Sequence, residues 1–159
     1  MSGYRAHFWV GTLFFVVLVV VATTVGPARR IPYLTGMLHS WWKGLALLAT
    51  VLLAALWPDV DTNSKGRHVF YRGFLVAAAA LILFERYVEA AVLGLLAILP
   101  NIGKHQGWTH TIWAALGVSS LCLWLPMYIA RSRTLVGLPF AIAFLVGYLS
   151  HLVLDWKRS

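Results

Sequence analysis

The chain has 159 residues, 60% of them hydrophobic and only 11% charged, with a formal net charge of +8. A soluble domain carries roughly 25% charged residues, so the composition excludes an ordinary water-soluble globule and places the chain among membrane proteins. The cations flank apolar runs, as Arg29-Arg30, Arg131 with Arg133, and Lys157-Arg158. Interfacial anchors are distributed in this way, and no basic stripe with interleaved aromatics points to a nucleic-acid partner.

The first apolar run covers residues 8–25, longer than a signal-peptide core, and no small-residue cleavage pattern follows it. It predicts a membrane span over residues 7–25, ended by Gly26-Pro27 and anchored by Arg29-Arg30. A loop over residues 31–40 carries His39, which reads as an interfacial residue. A second span, over residues 41–57, has about the minimum length to cross. It stops at Pro58, inside Trp57-Pro58-Asp59-Val60-Asp61. Residues 62–72 form the one long polar stretch, with the turn sequence Asn63-Ser64-Lys65-Gly66-Arg67.

Residues 73–99 hold two apolar runs separated by Glu85-Arg86-Tyr87-Val88-Glu89. One continuous helix there would be about 40 Å long and would bury charges at mid-membrane. Two short helices with the charges at their junction cost less, as tilted spans or as a hairpin buried in protein. Pro100-Asn101-Ile102-Gly103 then leads into Lys104-His105-Gln106-Gly107-Trp108-Thr109-His110. The last two spans cover residues 111–130 and 135–155. The lone Cys122 lies in an apolar run and reads as a small hydrophobe. The expected fold is all-α: one domain over residues 1–159, a polytopic membrane helical bundle of four long spans plus two short helices forming a hairpin.

This topology tests whether the polar residues can meet. If His7 starts span one from one face, span two returns Asp59 and Asp61 to it. The hairpin goes out and back, so His105 and His110 start the next span from the same face. The last span returns His151 and Asp155 there. One long helix over residues 73–99 would separate Asp59 from His110. His151 and Asp155 are four apart and share a helix face. Asp59 and Asp61 point the same way in extended chain. The mixture of imidazole and carboxylate predicts a divalent metal, with Zn preferred over Mn or Fe. Up to seven candidate ligands exceed the three or four protein ligands of one catalytic zinc, so one or two ions are expected, a carboxylate bridging in the second case.

The blocks that carry these residues are Ala6-His7-Phe8-Trp9-Val10-Gly11, Trp57-Pro58-Asp59-Val60-Asp61 with Ser64-Lys65-Gly66-Arg67, His105-Gln106-Gly107-Trp108-Thr109-His110-Thr111, and Gly147-Tyr148-Leu149-Ser150-His151-Leu152-Val153-Leu154-Asp155. In that order, and over nearly the whole chain, they resemble the YdjM-like family of LexA-regulated, membrane-bound, metal-dependent hydrolases. The resemblance implies hydrolysis. The family often has arginine where this chain has Gln106, which bears on any contact with an anionic substrate.

The expected activity is hydrolysis of a phosphoester in a lipid or lipid-linked substrate at the membrane interface. Asp59, Asp61 and His110 are the expected catalytic residues. Lys65, Arg67 and Lys104, with Gln106, are the expected substrate contacts, although the three cations also suit headgroup anchors. The alternatives are a metal-dependent acyl ester or amide hydrolase and a divalent-metal transporter or sensor. A transporter would place its ligands nearer mid-bilayer and show repeated halves. The bilayer is the expected partner.

Overall fold

The computed structural model describes residues 4–28, 41–60, 65–102, 108–131 and 134–156. Six α-helices lie among them: α1 (Tyr4–Ala28), α2 (Trp41–Leu56), α3 (Lys65–Leu83), α4 (Tyr87–Ile98), α5 (Ile112–Ile129) and α6 (Leu138–Trp156). Short 3-10 turns follow α2 (Trp57–Asp59) and α4 (Leu99–Asn101), and a third, Trp108–His110, precedes α5. No strand occurs among the described residues. Four helices, α1, α3, α5 and α6, are long and apolar enough to cross a membrane. The chain is therefore a multi-pass helical bundle, as expected.

Two boundaries differ from the sequence expectation. Helix α1 continues through Gly26-Pro27 to Ala28. In the last turn Pro27 forgoes a single hydrogen bond, so it does not have to stop the helix. The first arm of the hairpin starts at Lys65, eight residues before residue 73, and is a full 19-residue helix. The polar stretch winds because Gly66 and Phe70 are buried, so its first two turns have a core-facing side. Helix α2 has 16 residues, and the 3-10 turn through Pro58 lengthens it.

The hairpin itself is where the charges placed it. After Leu83, Glu85 adopts φ 58°. The Arg86 amide donates to the Leu81 carbonyl (2.8 Å) and the Glu85 amide to that of Ile82 (3.0 Å). This is a Schellman ending, with a non-glycine residue in the left-handed position. Arg86 also pairs with Glu89, its Nε 2.6 Å from Oε1, so neither charge is left alone at the tip. Helix α4 then runs back along α3. The Tyr71 hydroxyl reaches the Ala97 carbonyl (3.3 Å) and Asn101 Nδ2 reaches Tyr71 Oη (2.7 Å).

Helix α6 is the centre of the bundle, packed on α2, α5 and α1. Close approach needs small residues where apolar lipid supplies no hydrophobic drive between helices. A Cβ on Gly147 would lie 2.2 Å from the Val51 carbonyl oxygen of α2. One on Gly137 would lie 2.2 Å from the Leu123 carbonyl oxygen of α5, next to the Cys122 carbonyl that Pro126 cannot engage. The largest core cluster gathers Trp57, Phe70, Phe144, Tyr148 and Val118. Trp57 is at its middle: its indole N–H donates to the Leu96 carbonyl at 2.8 Å, and its ring meets Trp108, Phe144 and Tyr148. One side chain thus joins α2, the end of α4, the turn before α5, and α6.

Candidate metal centre

Five of the expected site residues meet at one end of the bundle. His7 comes from the start of α1, Asp59 from the 3-10 end of α2, His110 from the turn before α5, and His151 and Asp155 from the end of α6. His7 Nε2 lies 3.8 Å from both Asp59 Oδ2 and Asp155 Oδ1. His110 lies 3.8 Å from each carboxylate, through Nε2 to Asp59 Oδ1 and through Nδ1 to Asp155 Oδ2. His151 Nε2 is 3.7 Å from Asp59 Oδ1 and 3.1 Å from Asp155 Oδ2. The rings of His7 and His151 stack with centroids 4.1 Å apart.

Burial makes this arrangement informative. His7 is 1% exposed and His151 0%. His151 Nδ1 is 2.8 Å from the Ala55 carbonyl oxygen. That acceptor requires a proton on Nδ1, so in the neutral imidazole the lone pair is on Nε2, facing the carboxylates. A backbone carbonyl that fixes the tautomer of a ligating histidine is a common outer-shell partner. Nε2 of His110 is buried without a hydrogen bond, an expensive state for a polar atom unless something else meets it. Two sets, His7–Asp59–His151 and His110–His151–Asp155, each bring one donor atom per residue within 4.8 Å of the others. The residue types and spacing therefore fit a divalent cation.

The surroundings hold these groups in place. Thr111 caps α5, accepting from the Ala114 amide at 3.2 Å, and its hydroxyl donates to the Trp108 carbonyl at 2.7 Å. The Tyr148 hydroxyl donates to the Thr109 carbonyl, tying the turn that carries His110 to α6 one helical turn before His151. These positioning contacts, and the Ala55 carbonyl, were not singled out from the sequence. Tyr148 was detectable in principle, since it is three residues from His151 on one helix.

The remaining expected residues divide in two. Asp61, Lys104, His105 and Gln106 lie outside the described residues. Lys65 opens α3 and is exposed, and the guanidinium of Arg67 stands over the Tyr71 ring at 5.7 Å. Both are on the turn of α3 that begins at the Asp59 end of the bundle.

A model of the YdjM inner membrane protein family matches residues 7–159. The chain belongs to that family. The matched stretch begins at His7 and includes all five converging residues and every described helix but the first three residues of α1. No curated protein and no solved structure matches the chain. Membership and the four apolar helices together make this a multi-pass integral membrane protein.

Proposed function

We propose that this member of the family is a metal-dependent hydrolase that cleaves a phosphoester of a lipid or lipid-linked substrate at the membrane interface. The observation that carries the reading is the convergence of three imidazoles and two carboxylates from four chain segments. The two carboxylates are half-buried beside the imidazoles, and carboxylates crowded this closely favour a cation between them. Exposed Trp9, Trp113 and Trp156 sit near the same helix ends. Tryptophans of this kind mark headgroup depth, where a lipid phosphate is within reach.

His7, Asp59, His110, His151 and Asp155 are the residues that would hold the cation, zinc first and manganese or iron next. When bound, the ion supplies Lewis acidity, lowering the pKa of a coordinated water to about 7 and polarising an ester oxygen. With Nδ1 committed to Ala55, His151 has a single lone pair and serves one ion only. Asp59 turns Oδ2 to His7 and Oδ1 to His110 and His151. A carboxylate oxygen not engaged by the ion can accept and hold a proton from the attacking water. Lys65 and Arg67 offer positive charge for the phosphate.

The test measures metal content and phosphate release from lipid phosphoesters in mixed micelles, with Zn or Mn added, for the wild type and Asp59→Ala. Metal-dependent release that falls by about 100-fold or more in the variant supports the reading. Release of fatty acid in place of phosphate moves the activity to acyl ester cleavage. No release from any lipid ester, with metal moving across vesicles, overturns it in favour of transport.

A further inference from the structure

The end of the bundle opposite the histidines carries a second polar feature. An open groove of about 610 Å³ lies between the hairpin tip and the end of α5. Arg86, Val88, Glu89, Tyr128 and Arg131 line it, with Met127 and Ile129. Arg86, Tyr128 and Val88 are exposed, so the groove opens to the surroundings of the bundle. By topology it is at the far membrane face, because α3 and α5 both start at the histidine end. Its size is that of an ordinary small-molecule site.

We propose that this groove binds the phosphodiester headgroup of an anionic phospholipid, with phosphatidylglycerol as the fitting headgroup. The charges decide the class. Among the described residues that line the groove, Arg86 and Arg131 against Glu89 leave one positive charge in excess, which matches one phosphodiester. Glu89 Oε1 takes the Nε and one terminal nitrogen of Arg86. Guanidinium has five N–H donors, so Arg86 keeps donors for a phosphate while Glu89 holds its plane. Arg131 is presented by a fixed backbone: its φ is 47° and its amide donates to the Tyr128 carbonyl at 3.2 Å. Val88, Met127 and Ile129 give an acyl chain an apolar wall below the headgroup. A zwitterionic headgroup fits less well, since it brings an ammonium between two guanidinium groups. Basic pockets between membrane helices bind anionic lipid by the same charge matching.

Native mass spectrometry of the full-length protein, released from nanodiscs of equal phosphatidylglycerol and phosphatidylethanolamine, tests this. One phosphatidylglycerol retained preferentially on the wild type is the expected result, with retention reduced about tenfold in Arg86→Gln/Arg131→Gln and unchanged in Arg72→Gln. Arg131→Gln alone leaves the Arg86–Glu89 pair intact and should still lower retention several-fold, so a folding defect at the tip cannot imitate the effect. Equal retention of both lipids by the wild type, or undiminished phosphatidylglycerol in Arg131→Gln, overturns the proposal.

Discussion

Asp59 and Asp155 both stand at the carboxyl ends of helices, where the backbone already carries partial negative charge. Each is within 3.8 Å of His7 Nε2, so the two carboxylates share one small space. The arrangement sets two anionic groups side by side at two helix ends of adverse sign. Under the proposed reading, a divalent ion removes both costs. Asp155→Asn keeps the volume and removes the charge. It should weaken zinc binding by about 100-fold, at the upper end of the range for tuning a metal site, as read by competition with a chromophoric chelator. Trp57→Phe should have a different signature. It leaves the Leu96 carbonyl without its 2.8 Å donor and should lower stability by about 1–3 kcal/mol, measured by thermal unfolding in detergent.

The elements carry their own tests. Glu85 holds the left-handed position that ends α3, with φ 58°, a conformation that favours glycine. Glu85→Gly should therefore stabilise the hairpin by about 1 kcal/mol and leave metal binding unchanged, visible as a raised melting temperature. The contact between α2 and α6 is the opposite case. A methyl at Gly147 would meet the backbone of Val51 at 2.2 Å, so the helices must part. Gly147→Ala should cost about 1–3 kcal/mol and weaken metal binding, because Asp59 rides on α2 and His151 on α6. Gly44→Ala, with open space around its Cβ, is the matched control and should be neutral or mildly stabilising.

At the scale of the whole molecule, the proposed cation would act as a clamp, because its ligands come from the ends of α1, α2 and α6 and the turn before α5. Zinc at 100 times its dissociation constant should raise stability by about 2.7 kcal/mol. Chelation should lower the melting temperature of the wild type and leave Asp155→Asn unmoved. Much of this architecture was legible in the sequence. The apolar runs showed the helices, and the Glu85–Glu89 charges showed the break in the hairpin, since charges at mid-membrane cost too much. The same break placed Asp59 and His110 at one end, and the structure brings them together with His7, His151 and Asp155. The helical start at Lys65 was not legible, because its polar residues resemble a turn until Phe70 finds a core to bury against.

Composition and periodicity alone determined that this is a multi-pass helical membrane protein, and which residues stand at which helix ends. Those properties are local: they follow from the cost of exposing backbone and charge to lipid, whatever the neighbours are. Tertiary structure decided what no local rule contains. It set the 3.7–3.8 Å spacing of Asp59 from three imidazoles and committed His151 Nδ1 to the Ala55 carbonyl. It also joined Arg86 and Arg131 in one groove. Each depends on how closely two helices approach and at what rotation, which is fixed by the packing of residues such as Gly147 and Trp57 rather than by either helix alone.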